Sequence, residues 1–143
     1  MRAYGGIMLF MGVMLVTLVG GPAFSQGIEG KRVSVAGGSY LNITPVTLNA
    51  LLPKKDFFFV NVHIPYEGEI ARTDAFIPFD QTKESLDRYP ADKSAKILLY
   101  CRSGRMSDIA ARELVRQGYT HVLNLQGGMI EWERSGLPLK HSQ

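Results

Sequence analysis

The chain has 143 residues, with 16 Lys plus Arg against 13 Asp plus Glu and a single cysteine. Scattered basic residues with a net charge of only +3 argue against a nucleic-acid partner, which needs a basic stripe or patch. One cysteine excludes an internal disulfide, and a chain of this length builds one core without such a staple.

The first segment, "MRAYGGIMLFMGVMLVTLVGGPAFSQ", opens with one positive charge at Arg2 and continues as an uncharged apolar stretch from Ile7 to Val19. Gly20, Gly21 and Pro22 break it, and Ala23 and Ser25 supply the small residues a signal peptidase accepts before Gln26. The apolar stretch is shorter than the ~20 residues of a spanning helix. Residues 1–25 are therefore expected to be a cleaved signal peptide, and 26–143 the mature domain. The mature chain would be periplasmic or secreted, with no stable membrane association after cleavage. An uncleaved anchor is the competing reading.

Residues 26–31 read as a polar lead-in. Thr44 and Pro45 mark a helix start, as N-cap and first helical residue, with Val46, Leu48, Leu51 and Leu52 behind them and Pro53 ending the run. "FFFVNV" (57–62) reads as a buried strand. The stretch 63–95 is rich in Pro, Gly and charge, with a short apolar piece "AFIPF" and a helical turn between Lys83 and Tyr89. "KILLYC" and "HVLNL" (121–125) are two further apolar strands.

Between those strands a helix is expected from about Met106 to Gln117. Asp108, Arg112 and Arg116 repeat every four residues on one side, and Ala110, Ala111, Leu114 and Val115 occupy the other. Gly118 closes it, and Gly127-Gly128 leads into a last helix, Met129 to Arg134. Apolar strands alternating with helices predict an α/β domain, a mostly parallel central sheet with helices on both faces. The core is expected over about 41–139.

Cys101 ends an apolar strand, where ligands of open parallel sheets bind. The loop "CRSGRM" then turns into a helix start. Backbone N–H groups there favour an anion, Gly104 lets them converge on one centre, and Arg102 and Arg105 add positive potential. All of this favours thiolate over thiol and predicts a nucleophilic sulfur in a pocket for an anionic substrate. The competing reading is a buried cysteine that merely ends a core strand. Cysteine phosphatases place an arginine six residues after the nucleophile to fork the phosphoryl oxygens. Here that position is Ser107, and the shorter cradle suits a sulfane sulfur carried on the cysteine.

The stretch "YCRSGRMSDIAARELVRQGYTHVLNLQGGMIEWERSGLPL" (100–139) resembles the second half of a single-domain rhodanese, the thiosulfate sulfurtransferase family, and "ITPVTLNALL" and "FFFVNV" are similar to its opening helix and strand. The resemblance implies that Cys101 is the persulfide-forming nucleophile. The backbone of Arg102, Ser103, Gly104, Arg105 and Met106 would cradle its outer sulfur. Arg102 and Arg105 would hold the anionic end of a small sulfur donor, and Ser107 would cap the helix or assist the loop. A thiol or cyanide would accept the sulfur, with no metal or organic cofactor; no zinc-like Cys/His spacing is present.

The front half departs from that family. Asn61-Val62-His63 stands where it reads Asp-Val-Arg, and "GEIARTDAF" (68–76) replaces "GHIPGA", while Glu67 keeps the family's glutamate. His63 would be either a pH-dependent partner near the pocket or a capped loop residue. Arg72 and Asp74 are candidates for the pocket border, Trp132 for core packing, and His121 and His141 for exposed positions. Two other functions compete with the enzyme: a rhodanese-like binding or sulfur-carrier module with little turnover, and a phosphatase or arsenate reductase of related fold.

Overall fold

The computed structural model describes residues 27–141, so the export segment read at 1–25 lies outside the described residues. Six strands form one sheet in the order β1-β2-β6-β5-β3-β4. They are β1 (Lys31–Val35), β2 (Gly38–Ile43), β3 (Phe58–Asn61), β4 (Ala75–Phe76), β5 (Lys96–Tyr100) and β6 (His121–Leu125). The β1–β2 pair is antiparallel and every other pairing is parallel. Three helices accompany them: α1 (Pro45–Leu51), α2 (Arg105–Arg116) and α3 (Gly128–Arg134).

The helices lie on both faces, because alternate strand residues feed two separate cores. One core joins Val60, Ile97, Leu99, Cys101 and Val122 to Ala110, Ala111 and Leu114 of α2. The other joins Phe59, Leu98, Tyr100 and Leu123 to Leu48 of α1 and to Met129 and Trp132 of α3. The parallel strands β3, β5 and β6 are mostly apolar because both their faces are covered. The expected α/β architecture is the one observed.

Three differences from the sequence reading have plain causes. The lead-in gives way at Lys31 to a hairpin, so the ordered sheet begins ten residues before the expected core. Its first strand, β1, is the edge strand and alternates half-buried Val33 and Val35 with exposed Arg32 and Ser34, a weak apolar signal. The α-helix ends at Leu51, before Pro53 as expected, but an unforeseen 3-10 turn, Leu52–Lys54, follows it. The helices α2 and α3 each begin one residue earlier than expected, at Arg105 and Gly128, because Gly104 and Gly127 serve as N-caps.

Candidate functional site

Tyr100 ends β5 fully buried, and Cys101 follows with 1% of its surface exposed. The loop then doubles back under its own sulfur. The Gly104 N–H donates to Cys101 Sγ at 3.0 Å. The Ser107 hydroxyl, on the first turn of α2, lies 3.4 Å from the same sulfur and 3.3 Å from the Gly104 carbonyl. Its single proton serves one acceptor at a time. Gly104 adopts φ +103, a left-handed conformation that glycine adopts without Cβ strain, and so lets the turn tighten enough for its amide to face the sulfur.

The other side of the loop is held by α3. The Met129 and Ile130 amides donate to the Cys101 and Arg102 carbonyls at 2.9 and 3.0 Å. Gly128 permits this approach: a Cβ there would lie 2.3 Å from the Cys101 carbonyl oxygen. The "GGM" segment thus serves the cysteine loop directly, a role the sequence reading did not assign to it.

The residues singled out in sequence fall into two groups. Gly104 and Ser107 meet the sulfur, and Met106 packs half-buried against the α2 core. Arg102, Ser103 and Arg105 are exposed on the rim of the loop. Arg102 donates to Glu67 Oε2 at 2.9 Å, and His63 Nε2 meets the same oxygen at 2.6 Å. The Arg102 bond, then the His63 bond, hold the Glu67 carboxyl below the ordinary carboxylate range. Sequence reasoning considered Glu67 and His63 separately; their spacing of four residues was the available signal for the pair.

Asn61 stands where the resembled family reads aspartate, and it makes bonds of its own there. It is fully buried, its amide donates to the Gly68 carbonyl at 3.0 Å, and its side-chain oxygen accepts from the His63 N–H at 3.0 Å. A carboxylate could accept the second bond but not donate the first. Further along, the Tyr100 hydroxyl accepts from the Ile70 N–H at 3.0 Å and pairs with the Thr73 hydroxyl at 2.7 Å. Burial pushes that phenol well above its ordinary value. The expected pocket border at Arg72 and Asp74 is corrected. Arg72 bonds the Leu52 carbonyl, and Asp74 bonds Lys55 at 2.6 Å and the Phe59 N–H at 2.8 Å. Because β4 runs parallel to β3, the residues that enter it lie at the end of the sheet away from Cys101. Trp132 is 3% exposed in the core and donates to the Pro138 carbonyl at 2.9 Å, and His121 and His141 are exposed, as expected.

Beside the loop a cleft of about 140 Å³ opens between Glu67, Arg102, Glu133 and the apolar Met129, Ile130 and Leu139. A wider one of about 430 Å³ lies at the opposite end of the sheet, around Lys96 and His121, far from the sulfur. Among the described residues no His/Cys/Asp/Glu group has the makings of a metal site.

Comparison with known proteins agrees with this geometry. Residues 59–135 match the rhodanese-like domain family. A sulfurtransferase of Allochromatium vinosum is 38% identical over 93 residues, covering 62% of this chain and 83% of that protein. A tRNA uridine(34) hydroxylase of Escherichia coli is 30% identical over 127 residues, covering 81% of this chain. The chain spans only about a third of that hydroxylase, 36% of its length. A rhodanese-like domain protein of Staphylococcus aureus superposes with a TM-score of 0.58 at 27% identity, covering 70% of this chain and 98% of that one. With the cysteine loop, the "GGM" clamp and the sheet order already in place, the matched span shows that the chain belongs to the rhodanese-like domain family.

Proposed function

We propose that the chain is a sulfurtransferase that carries sulfane sulfur as a persulfide on Cys101. The observation that carries this reading is the pair of donors on one sulfur: the Gly104 N–H at 3.0 Å and the Ser107 hydroxyl at 3.4 Å. Donors so placed can hold the negative charge that a sulfur nucleophile or its persulfide carries during transfer. The helix start at Arg105 adds first-turn amides that lack intrahelical acceptors, and these suit the outer sulfur of a persulfide.

The reaction has two displacements. The Cys101 thiolate attacks the outer sulfur of thiosulfate or a related donor, the donor's S–S bond breaks, and sulfite leaves with the bonding pair. The product is Cys101–S–S⁻. A thiol or cyanide then attacks the outer sulfur and releases the Cys101 thiolate. Oxidation states balance across the cycle, so the route calls for neither metal nor organic cofactor. The single cysteine of the chain means that an outside acceptor collects the sulfur. The sequence of residues 1–25 supports placing this activity outside the cytoplasm, and a mature protein that begins at Gln26 is the result expected on N-terminal sequencing.

The test is turnover from thiosulfate and cyanide to thiocyanate and sulfite. Wild type is expected to turn over, and Cys101→Ser to lose activity to background. A stable Cys101 persulfide formed without turnover would assign the chain to the sulfur-carrier reading that the departures at 61–76 favour. Aryl phosphate hydrolysis that depends on Cys101 would assign it to the phosphatase one.

A further inference from the structure

Asp108, on the first turn of α2, is tied to the sulfur's support through its backbone and to the sheet through its side chain. Its N–H donates to the Gly104 carbonyl at 3.1 Å, and the N–H of that same glycine donates to Cys101 Sγ at 3.0 Å. Its carboxylate accepts from the Tyr40 hydroxyl on Oδ1, and from Arg112 Nε on Oδ2 at 3.0 Å. Tyr40 belongs to β2, and β6 separates that strand from β5, which leads into the cysteine. A continuous line of hydrogen bonds, Tyr40–Asp108–Gly104–Cys101, therefore runs from one strand to the sulfur beyond another.

The first turn of α2 needs such a tie. A helix start is commonly held by a side-chain oxygen at the N-cap, but here the N-cap is Gly104, which has none to offer. The bond from Tyr40 fixes the same turn from the sheet side. Tyr40 is 2% exposed and packed in the core beneath α2, so its hydroxyl has little freedom to leave Asp108. The ion pair with Arg112 alone would hold the carboxylate loosely, because the Arg112 and Asp108 side chains are 42% and 33% exposed.

We propose that Tyr40 is a positioning residue for the cysteine: by anchoring Asp108 it sets the first turn of α2, and with it the Gly104 N–H and the Ser107 hydroxyl, against the sulfur. The proposal rests on Cys101 acting as a thiolate nucleophile, as the sulfur-transfer reading requires. Tyr40 takes no part in the chemical steps. Without its hydroxyl the turn loosens, the Gly104 N–H draws away, and the thiolate loses the donor that favours its charged form. The loss falls on the reactivity of the sulfur and spares donor binding.

The test titrates the reactivity of Cys101, the only cysteine, with iodoacetamide and follows thiosulfate turnover in the same proteins. Tyr40→Phe keeps the ring in the core and removes only the hydroxyl. Burial and then Asp108 push the Tyr40 phenol up to about 12, so the variant alters no charge near neutral pH. Arg102, Arg105, Arg112, Glu67, Glu131 and His63, the charged and titratable groups about the loop, stay in place. The midpoint of the alkylation profile is expected to rise by about half to one pH unit. Thiosulfate kcat should fall roughly three- to tenfold with KM unchanged, the scale of one weakened hydrogen bond. Asp108→Ala should raise the midpoint as well, although removal of a carboxylate near the loop would by charge alone lower it. Asp108→Asn keeps an oxygen for the Tyr40 hydroxyl and should not raise it. A Tyr40→Phe protein that unfolds more easily but keeps its midpoint and kcat overturns the proposal, as does a midpoint lowered in both Asp108 variants. Alkylation needs no sulfur donor. A wild type that takes no sulfur onto Cys101 therefore defeats the sulfur-transfer reading, while the midpoints still decide the role of Tyr40.

Discussion

A sulfur atom that accepts from the Gly104 N–H, with the Ser107 hydroxyl within reach, while 1% of its residue is exposed is held in place before any substrate arrives. At the residue scale, the supports of this atom reach beyond the loop that carries it. Asn61 shows how. Its amide must donate to the Gly68 carbonyl and accept from the His63 N–H, and only an amide does both. Asn61→Asp, the residue the family pattern has there, is expected to destabilise this chain by about 1–3 kcal/mol by leaving a buried carbonyl unpaired against a carboxylate. Chemical denaturation at neutral pH measures it, and an unchanged or raised midpoint would contradict the assignment. The cysteine, the glycine and the serine of the site were legible in the sequence because they lie within seven consecutive residues. The partnership of His63, Glu67 and Arg102 was not, since it joins the loops after two neighbouring strands and exists only once β3 and β5 pair.

Among the elements, α1 depends most on its ends. It has seven residues, too few to be stable alone, and only Pro45 and Leu48 are buried. Thr44 caps it, its hydroxyl oxygen accepting from the Thr47 N–H at 3.2 Å. Thr44→Ala is expected to cost about 1 kcal/mol and Thr44→Ser much less, read from urea unfolding. Equal losses in both would mean that the cap is not what holds this end. Elements with continuous apolar runs or a clear helical period, β3, β5, β6 and α2, were readable because both sheet faces are covered and α2 buries one side. The β1–β2 hairpin escaped because its edge strand β1 carries exposed polar residues on one side. The strand β4 is two residues long inside a proline-bearing stretch, below the length at which periodicity signals anything.

For the whole molecule, buried tyrosines in the core on the α2 side of the sheet set an alkaline limit to stability. Burial, aided by the nearby Asp108 carboxylate, pushes Tyr40 up to about 12, and burial pushes Tyr89 to about 12, from an ordinary value of 10.0. A folded value above the unfolded one gives stability that is complete below about pH 10 and is lost as pH rises through about 12. The unfolding midpoint is expected to fall across that interval, and to fall less steeply in Tyr40→Phe and Tyr89→Phe. Parallel slopes in wild type and both variants would contradict this.

At this scale the sequence patterns were sufficient for fold class and family, because the alternation of strand and helix survives in the chain order. They could not supply the cleft beside the cysteine loop, which depends on residues 67, 102 and 133 meeting in space.

A persulfide on Cys101 adds the mass of one sulfur atom to the protein, which intact mass spectrometry reads. Protein incubated with thiosulfate, and separately with an organic persulfide, is freed of small molecules and weighed before and after cyanide. The expected result is a gain of one sulfur atom that maps to Cys101, disappears with cyanide and is absent from Cys101→Ser. A wild-type mass unchanged by either donor, or an adduct that persists in Cys101→Ser, would contradict it.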